Sequence, residues 1–361
     1  MIRHTLTALL AATSIAAPAL GQTTPAKPAP PARPAPRVII EQQQRDIERE
    51  RIRTVQRENR VEQTERLNHT FTIGGSGELQ VSNWIGDITI TRGGGNEVRV
   101  EAIKTARART EEQARELLPT VRVEFNERGG RAEVKTIHSS ERNDRSNHRN
   151  VSIGVSYTIT APQGTRINVS SFTGNINVTG VKGELSLVSL SGDVRVVEGA
   201  RVSKATSTSG HVEIRGLQSD VRLEASSTSG NITIAHSRAP RMELVTISGS
   251  VSLDNVQAEQ IEASSTSGDL NIAIPFAKSG RYELNSLSGS VRITLMNDTG
   301  FELDATTFSG SVKSAVTLVE RGGVTDAARR GRVRRLNGRF GDGTALLDVS
   351  TFSGDVIITK K

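Results

Sequence analysis

Residues 185–196 read LSLVSLSGDVRV, and the same grammar is centred on Gly174, Gly192, Gly210, Gly230, Gly249, Gly268, Gly289, Gly310 and Gly354. A Ser or Thr stands directly before each of these glycines. Another stands three before: Ser171, Ser189, Ser207, Ser227, Thr246, Ser265, Ser286, Thr307 and Thr351. Apolar pairs follow two and four residues after the Gly, as in Val194/Val196 and Ile232/Ile234, and the Gly310 copy breaks this with Ser314. From Gly174 to Gly310 the spacings are 18, 18, 20, 19, 19, 21 and 21 residues, and a repeat of that length is the mark of a solenoid.

Apolar or small residues five and seven before the Gly, such as Leu185/Leu187 and Ile261/Ala263, have the period of two of a half-buried strand. The pair after the Gly has the opposite parity, so the inward face changes at the Gly, which only a corner achieves. Gly allows the positive φ or bulge that a corner needs, and the neighbouring hydroxyls can bond to local backbone. The hydroxyl three before the Gly shares parity with the buried pair, so it is expected inside the corner, stacked hydroxyls satisfying one another and the corner backbone. No His or acid recurs in phase to activate these serines as nucleophiles. With 18 to 21 residues per rung there is no room for a helical crossover. The expected fold is therefore all-β, a parallel β-solenoid of about ten rungs with a disordered or helical N-terminal extension.

Residues 1–21 combine Arg3 and His4, an apolar run through Leu6, Leu9, Leu10 and Ile15, and small residues before Gln22. That pattern is a secretory signal, its apolar run too short to span a bilayer. The mature chain, expected to begin at Gln22, carries no transmembrane segment in this reading. No Cys follows the cleavage site, which excludes a bacterial lipoprotein anchor, and none occurs anywhere, which excludes disulfides and thiolate metal sites. Residues 22–70 hold a Pro/Ala-rich spacer and a segment, 41–66, dense in Arg, Glu and Gln and expected to be a solvated helix or disordered.

The solenoid domain is expected over residues 71–361. Leu79, Val81, Gly86, Ile88 and Ile90 fit the frame as an outlying first copy, with Asn83 in the hydroxyl slot. Its Trp84 lies two before the Gly, where other copies carry Phe172, Phe308 or Phe352. An insert at about 91–164 holds four strand-like runs and one short helix at 110–118 capped by Thr110. After Gly310 the next corner is 44 residues away, and Val333, Leu336, Gly338 and Phe340 are expected to form a degenerate rung there. The Gly354 copy is expected to cap the array.

No catalytic or metal-binding constellation emerges. The six His (His4, His69, His138, His148, His211 and His236) lack the spacing of a metal pair. Asp193, Asp269 and Asp355 follow corner glycines, but Asn, His or Ser takes that slot between them, so a carboxylate stack for Ca²⁺ or glycan cleavage is interrupted. Gly93-Gly94-Gly95 lacks the Lys-Ser/Thr of a phosphate loop. No cofactor is expected.

Together, VSNWIGDITITRGGGNEVRVEAIK from residue 81, YTITAPQGTRINVSSFTGNINVTGVKG from residue 157 and the Ser-Gly corners resemble the bacterial family of adhesin-like β-strand-repeat proteins numbered 4097 among the domains of unknown function. The resemblance covers about residues 71–361. It implies an exported β-solenoid and supplies no site residues. The Arg-rich loop at about 320–335 and the charged N-terminal segment depart from it. The net charge is +7, and Arg321, Arg329, Arg330, Arg332, Arg334 and Arg335 crowd that loop, making it the candidate contact for a polyanion. Export points to acidic envelope polymers or an envelope protein as the partner, rather than nucleic acid, and the low share of aromatics, 3%, argues against a base- or sugar-stacking groove. The expected function is non-enzymatic binding or scaffolding in the periplasm or at the surface of a bacterial cell. The alternative is a carbohydrate-active β-helix enzyme acting on an acidic polysaccharide, which an acidic pair on adjacent rungs within a groove would favour. A third reading makes residues 22–70 a tether. The oligomeric state is left open by strand edges at both ends.

Overall fold

The computed structural model describes residues 61–138, 151–320, 323–325 and 334–361. The expected signal segment, the spacer, most of the charged segment and the polar loop 139–150 lie outside the described residues. Among the described residues the chain is all-β apart from one short helix and a 3-10 turn, and its strands form two large sheets of 13 and 15 strands. Each rung gives one strand before its corner to a leading sheet and one after it to a trailing sheet. In the Gly249 rung, Arg241–Ser248 precedes the corner and Val251–Asp254 follows it. Neighbouring rungs pair in parallel and in phase, for example Leu244 with Ala263 and Val251 with Leu270. This is the β-solenoid architecture that the repeat predicts.

The core lies between the two sheets. Met242, Leu244, Val251 and Leu253 of one rung are all at most 1% exposed, and the return segment adds Val256. Burying each such side chain favours folding by about 2 kcal/mol, and the same columns repeat in every rung.

Four expectations need correction. First, chain order and stack order part at the C-terminal end. Ala345–Ser353 of the Gly354 rung lies between Arg281–Ser288 of the Gly289 rung and Phe301–Thr307 of the Gly310 rung. The Gly354 copy is thus an interior rung, and the Gly310 rung lies outside it. Second, the expected degenerate rung is an antiparallel strand, Arg335–Phe340, paired with Phe301–Thr307 on one side and, through Arg339 and Val319, with Leu318–Glu320 on the other. It lies against the stack in the reverse direction, and Val333 is outside the described residues.

Third, the insert is part of the stack. Arg131–His138 pairs in parallel with Glu78–Ile85, and Ser152–Pro162 with Ile88–Gly93, so the two form a further rung on the N-terminal side of the first copy. Antiparallel strands Glu97–Ala108, Val61–Thr72 and Val121–Arg128 lie beyond it. The helix Glu111–Leu117 is where the sequence places it, with the Thr110 hydroxyl accepting from Gln113 N at 3.3 Å.

Fourth, the last residues of the charged segment are strand. Val61–Thr72 pairs along its whole length with Glu97–Ala108, turning Leu67 and Phe71 toward the core. Its charges are matched across the ladder: Lys104 Nζ lies 3.0 Å from Glu65, Arg107 Nε 2.8 Å from Glu62, and Arg66 3.4 Å from Glu101. Cross-strand pairing of opposite charges accommodates a sequence whose composition suggests solvation.

Candidate functional site

The corners account for most of the hydroxyls that could otherwise suggest chemistry. The Ser or Thr three before each Gly is buried, but it does not bond to its stacked neighbours. It donates instead to the carbonyl of the corner Gly one rung away: Ser207 Oγ to Gly192 O at 2.8 Å, Ser227 to Gly210 at 2.9 Å, Thr246 to Gly230 at 3.0 Å and Thr351 to Gly289 at 3.0 Å. Ser189, Ser265, Ser286 and Thr307 do the same. Asn83 extends the pattern with two donors, to Gly86 O at 2.9 Å and Val155 O at 2.8 Å, and Thr136 donates to its Oδ1 at 2.8 Å. Ser171 breaks it, its buried hydroxyl having no partner, and Gly86 O beside it accepts from Asn83.

The corner glycines are required by close approach more than by dihedral angle. A Cβ on Gly249 would lie 2.1 Å from Gly230 O, and one on Gly268 2.0 Å from Gly249 O. A positive φ is confined to Gly86, Gly174 and Gly192 among the corners that carry this stack.

The residue after the Gly has its own ladder. Asp87 Oδ1 accepts from Asn175 N, Asn175 Oδ1 from Asp193 N, Asp193 Oδ1 from His211 N, and His211 Nδ1 from Asn231 N, at 2.8 to 3.0 Å. Any short side chain with an acceptor serves, which explains why Asp, Asn, His and Ser alternate where a carboxylate stack is interrupted. His211 therefore holds its ring proton on Nε2.

Three outward columns of the leading sheet remain. Two residues before the Gly runs an apolar ridge, in stack order Trp84, Phe172, Leu190, Thr208, Thr228, Ile247, Thr266, Leu287, Phe352 and Phe308. Its large side chains are 43–63% exposed, and the aromatic ones touch at both ends: Trp84 and Phe172 with centroids 5.1 Å apart, Phe308 and Phe352 stacked at 4.7 Å. Beside it lies a furrow of small residues, among them Ser264, Asn285 and Ser350, forming an open groove of about 460 Å³ against the ridge.

The third column, six before the Gly, carries carboxylates on six successive rungs: Glu224, Glu243, Glu262, Glu283, Asp348 and Asp304, each in register with the next. Cations on neighbouring strands offset several of them. Arg222 pairs with Glu243, Arg241 lies 3.5 Å from Glu262, Lys204 3.6 Å from Glu224, and Arg335 3.2 Å from Asp304. Burial, and then the Asp304 and Glu283 carboxylates, push the Asp348 carboxyl above its usual range. These residues line a second open groove of about 740 Å³ with Arg281, Glu302 and Arg339.

The Toastrack DUF4097 family model matches residues 77–359. The chain belongs to that family. No curated protein matches it. Solved structures similar to this Toastrack chain include a candidate cell adhesion protein from Clostridium sporogenes, 11% identical over 83% of this chain and all of that one, with a TM-score of 0.24. A candidate adhesin from Bacteroides fragilis is 12% identical over 81% and 97% of the two chains, with a TM-score of 0.39. A candidate lipid binding protein from Parabacteroides distasonis is 14% identical over 81% and 96%, with a TM-score of 0.43.

Of the arginines singled out in the Toastrack sequence, Arg334 and Arg335 are described and exposed, and Arg335 is committed to Asp304. Arg321, Arg329, Arg330 and Arg332 lie outside the described residues. His4 and His148 lie outside the described residues, and among the described residues the histidines are not brought together: His69 stacks on Phe125 at 4.7 Å, His236 sits at a left-handed turn with φ +49°, and burial lowers the His138 pKa. Among the described residues no group of three His, Cys, Asp or Glu could hold a metal ion, and no helix is long and apolar enough to cross a membrane. Sequence reasoning placed Trp84, Phe172, Phe308 and Phe352 at one position of the repeat but missed that they form an exposed ridge, and it missed the carboxylate column. The signal for both was in phase with the Gly: large residues two before it, acids six before it.

Proposed function

We propose that the protein is an exported, non-enzymatic β-solenoid that binds or scaffolds in the bacterial cell envelope. The observation that carries this reading is the exposed ridge. Two runs of large apolar side chains left in water on a rigid frame, Trp84, Phe172 and Leu190 at one end of the ridge and Leu287, Phe352 and Phe308 at the other, mark an interaction surface, since monomeric proteins rarely expose contiguous apolar patches. The hydroxyls and short acceptors nearby are consumed by the corners, which argues for recognition rather than turnover. The Arg-rich loop at about 320–335 is a second contact in this proposal, directed at acidic envelope polymers.

Co-sedimentation of the chain, isolated after export, with envelope fractions tests both parts. Binding that resists salt and is lost when Leu190 and Leu287 become Asp assigns it to the ridge. Salt-sensitive binding lost when Arg329, Arg330, Arg332, Arg334 and Arg335 become Ser assigns it to the loop. No binding by either route overturns the envelope role.

One observation favours an enzyme: Glu283, Asp348 and Asp304 stand on adjacent strands in a groove, and a raised carboxyl beside an ionised one is how glycosidases divide acid from base. The groove's acidic column would repel an acidic polysaccharide, so this reading requires a neutral or basic glycan. Release of reducing ends from such a glycan, abolished in Asp348→Asn, would establish it.

A further inference from the structure

The order of residues along the ridge is nearly the same in both directions. From one end it runs Trp, Phe, Leu, Thr, Thr, Ile, Thr, Leu, Phe, Phe, and from the other Phe, Phe, Leu, Thr, Ile, Thr, Thr, Leu, Phe, Trp. We propose that a second copy of this chain covers the face, turned end for end about a two-fold axis parallel to the leading strands. The proposal rests on reading the ridge as an interaction surface and goes beyond it by naming the occupant.

A two-fold interface places the same patch of both copies in contact, so residue i meets j and j meets i. With the stacks reversed, Trp84 meets Phe308, Phe172 meets Phe352, Leu190 meets Leu287, Thr208 meets Thr266, and Thr228 meets Ile247 beside the axis. Both stacks repeat at the rung spacing of about 4.8 Å, so all these pairs come into register together. Aromatic side chains fall on aromatic ones, where offset or edge contacts add to burial.

The charges also fit. The in-register column six before the Gly begins Gln80, Asn168, Ser186 and Lys204 before the carboxylates start at Glu224. Reversal about this axis sets Asp304 opposite Gln80, Asp348 opposite Asn168, Glu283 opposite Ser186 and Glu262 opposite Lys204. Each carboxylate at the acidic end then faces a hydrogen-bond donor or a cation. Only Glu224 and Glu243 face each other, and each already has a cation beside it. Ridge and furrow together cover about 43 Å by 15 Å, or ~1,300 Å² counted over both copies, within the range of stable specific interfaces.

Sedimentation velocity of the exported chain from about 1 to 100 µM tests the proposal, with a dimer expected in the upper part of that range. The double variant Leu190→Asp, Leu287→Asp opposes like charges across the axis and is expected to weaken association at least ~10-fold. At about 1 µM, where both are monomeric, its thermal midpoint should match the parent's, since both side chains are exposed in the single chain. Direction is read by cross-linking, which the absence of Cys makes clean. Ser82→Cys and Thr306→Cys lie beside opposite ends of the ridge. A bismaleimide of about 10 Å, the spacing of packed sheets, should join the two variants when mixed and neither one to itself.

A chain monomeric at about 100 µM overturns the proposal, as does a dimer indifferent to the Asp changes or a Ser82→Cys variant that links to itself. A monomer that still binds envelope fractions through the ridge refutes the second copy and leaves the binding role standing. A dimer that ignores the envelope does the reverse.

Discussion

Along every leading strand, two columns one residue apart invert the ordinary rule of burial. The inner column, three before the Gly, is Ser, Thr or Asn and is shut from water; the outer, two before it, is largely Trp, Phe, Leu and Ile and faces water. Except at Ser171, a buried hydroxyl is stable here because a neighbouring corner presents a carbonyl within 2.8 to 3.3 Å, so desolvation is offset by a hydrogen bond. The outer side chains have no such account within one chain. Polarity inside is thus explained by the fold, and apolarity outside calls for a partner.

Four experiments bear on the contrast. The largest effect is expected from Gly249→Ala, whose Cβ would meet Gly230 O at 2.1 Å and force the corners apart; urea unfolding should show a loss of about 3 kcal/mol or more. Next is the N-terminal end of the inner column, where the Tyr157 hydroxyl lies 2.6 Å from Thr136 Oγ1. Burial pushes the Tyr157 pKa up to about 12. The folded protein therefore holds this proton more tightly than the unfolded chain, whose tyrosine ionises near 10. The stability so gained is complete below pH ~10, falls as pH rises, and is gone above about 12, amounting to roughly 2 to 3 kcal/mol. Tyr157→Phe should flatten that alkaline decline, leaving the smaller share owed to Tyr282, also raised by burial.

Third, Thr246→Val leaves Gly230 O without its donor and should cost about 2 kcal/mol in chemical denaturation, whereas Ser171→Ala, whose hydroxyl has no partner, should be neutral or slightly stabilising. Equal losses at the two positions would mean that the inner hydroxyls are kept for a reason other than corner bonding. The smallest change is expected for Leu190→Ser on the ridge. In monomeric protein at low concentration its stability should stay within about 0.5 kcal/mol of the parent. A large loss would show that the ridge serves the fold of the single chain after all.

The corner glycines, the inner hydroxyls, the outlying copy with Asn83 and the helix capped by Thr110 were all legible in the sequence, because each depends on spacing within a rung. The stack order was not. The Gly289, Gly310 and Gly354 rungs share the same corner grammar, a Ser or Thr three before the Gly and a Val two after it, so nothing in phase says which lies beside which. The acids were sought after the Gly, where the backbone needs only an acceptor, while the uninterrupted column stood six before it. The shared position of Trp84, Phe172, Phe308 and Phe352 two before the Gly was visible, but not that it faces water, since the exposed side of a strand is set by the corner that follows it. A second corner six after the Gly escaped notice too. Gly180, Gly216 and Asn255 there take a positive φ, but Glu198 and His236 occupy the same position and blur the pattern.

Placement of the Gly354 rung between two earlier ones bears on how the molecule is completed. A chain emerging from its amino end can add rung upon rung as far as Gly289, but the Gly310 rung then has no strand to rest on. It must wait, with its apolar side chains uncovered, until residues 345–360 arrive and slot in beneath it. That rung is therefore a keystone rather than a lid. A chain broken off between residues 300 and 345 would keep most of its rungs and still end in an open, adhesive edge, so that the order of assembly sets such a broken chain apart from one that carries the Gly354 rung.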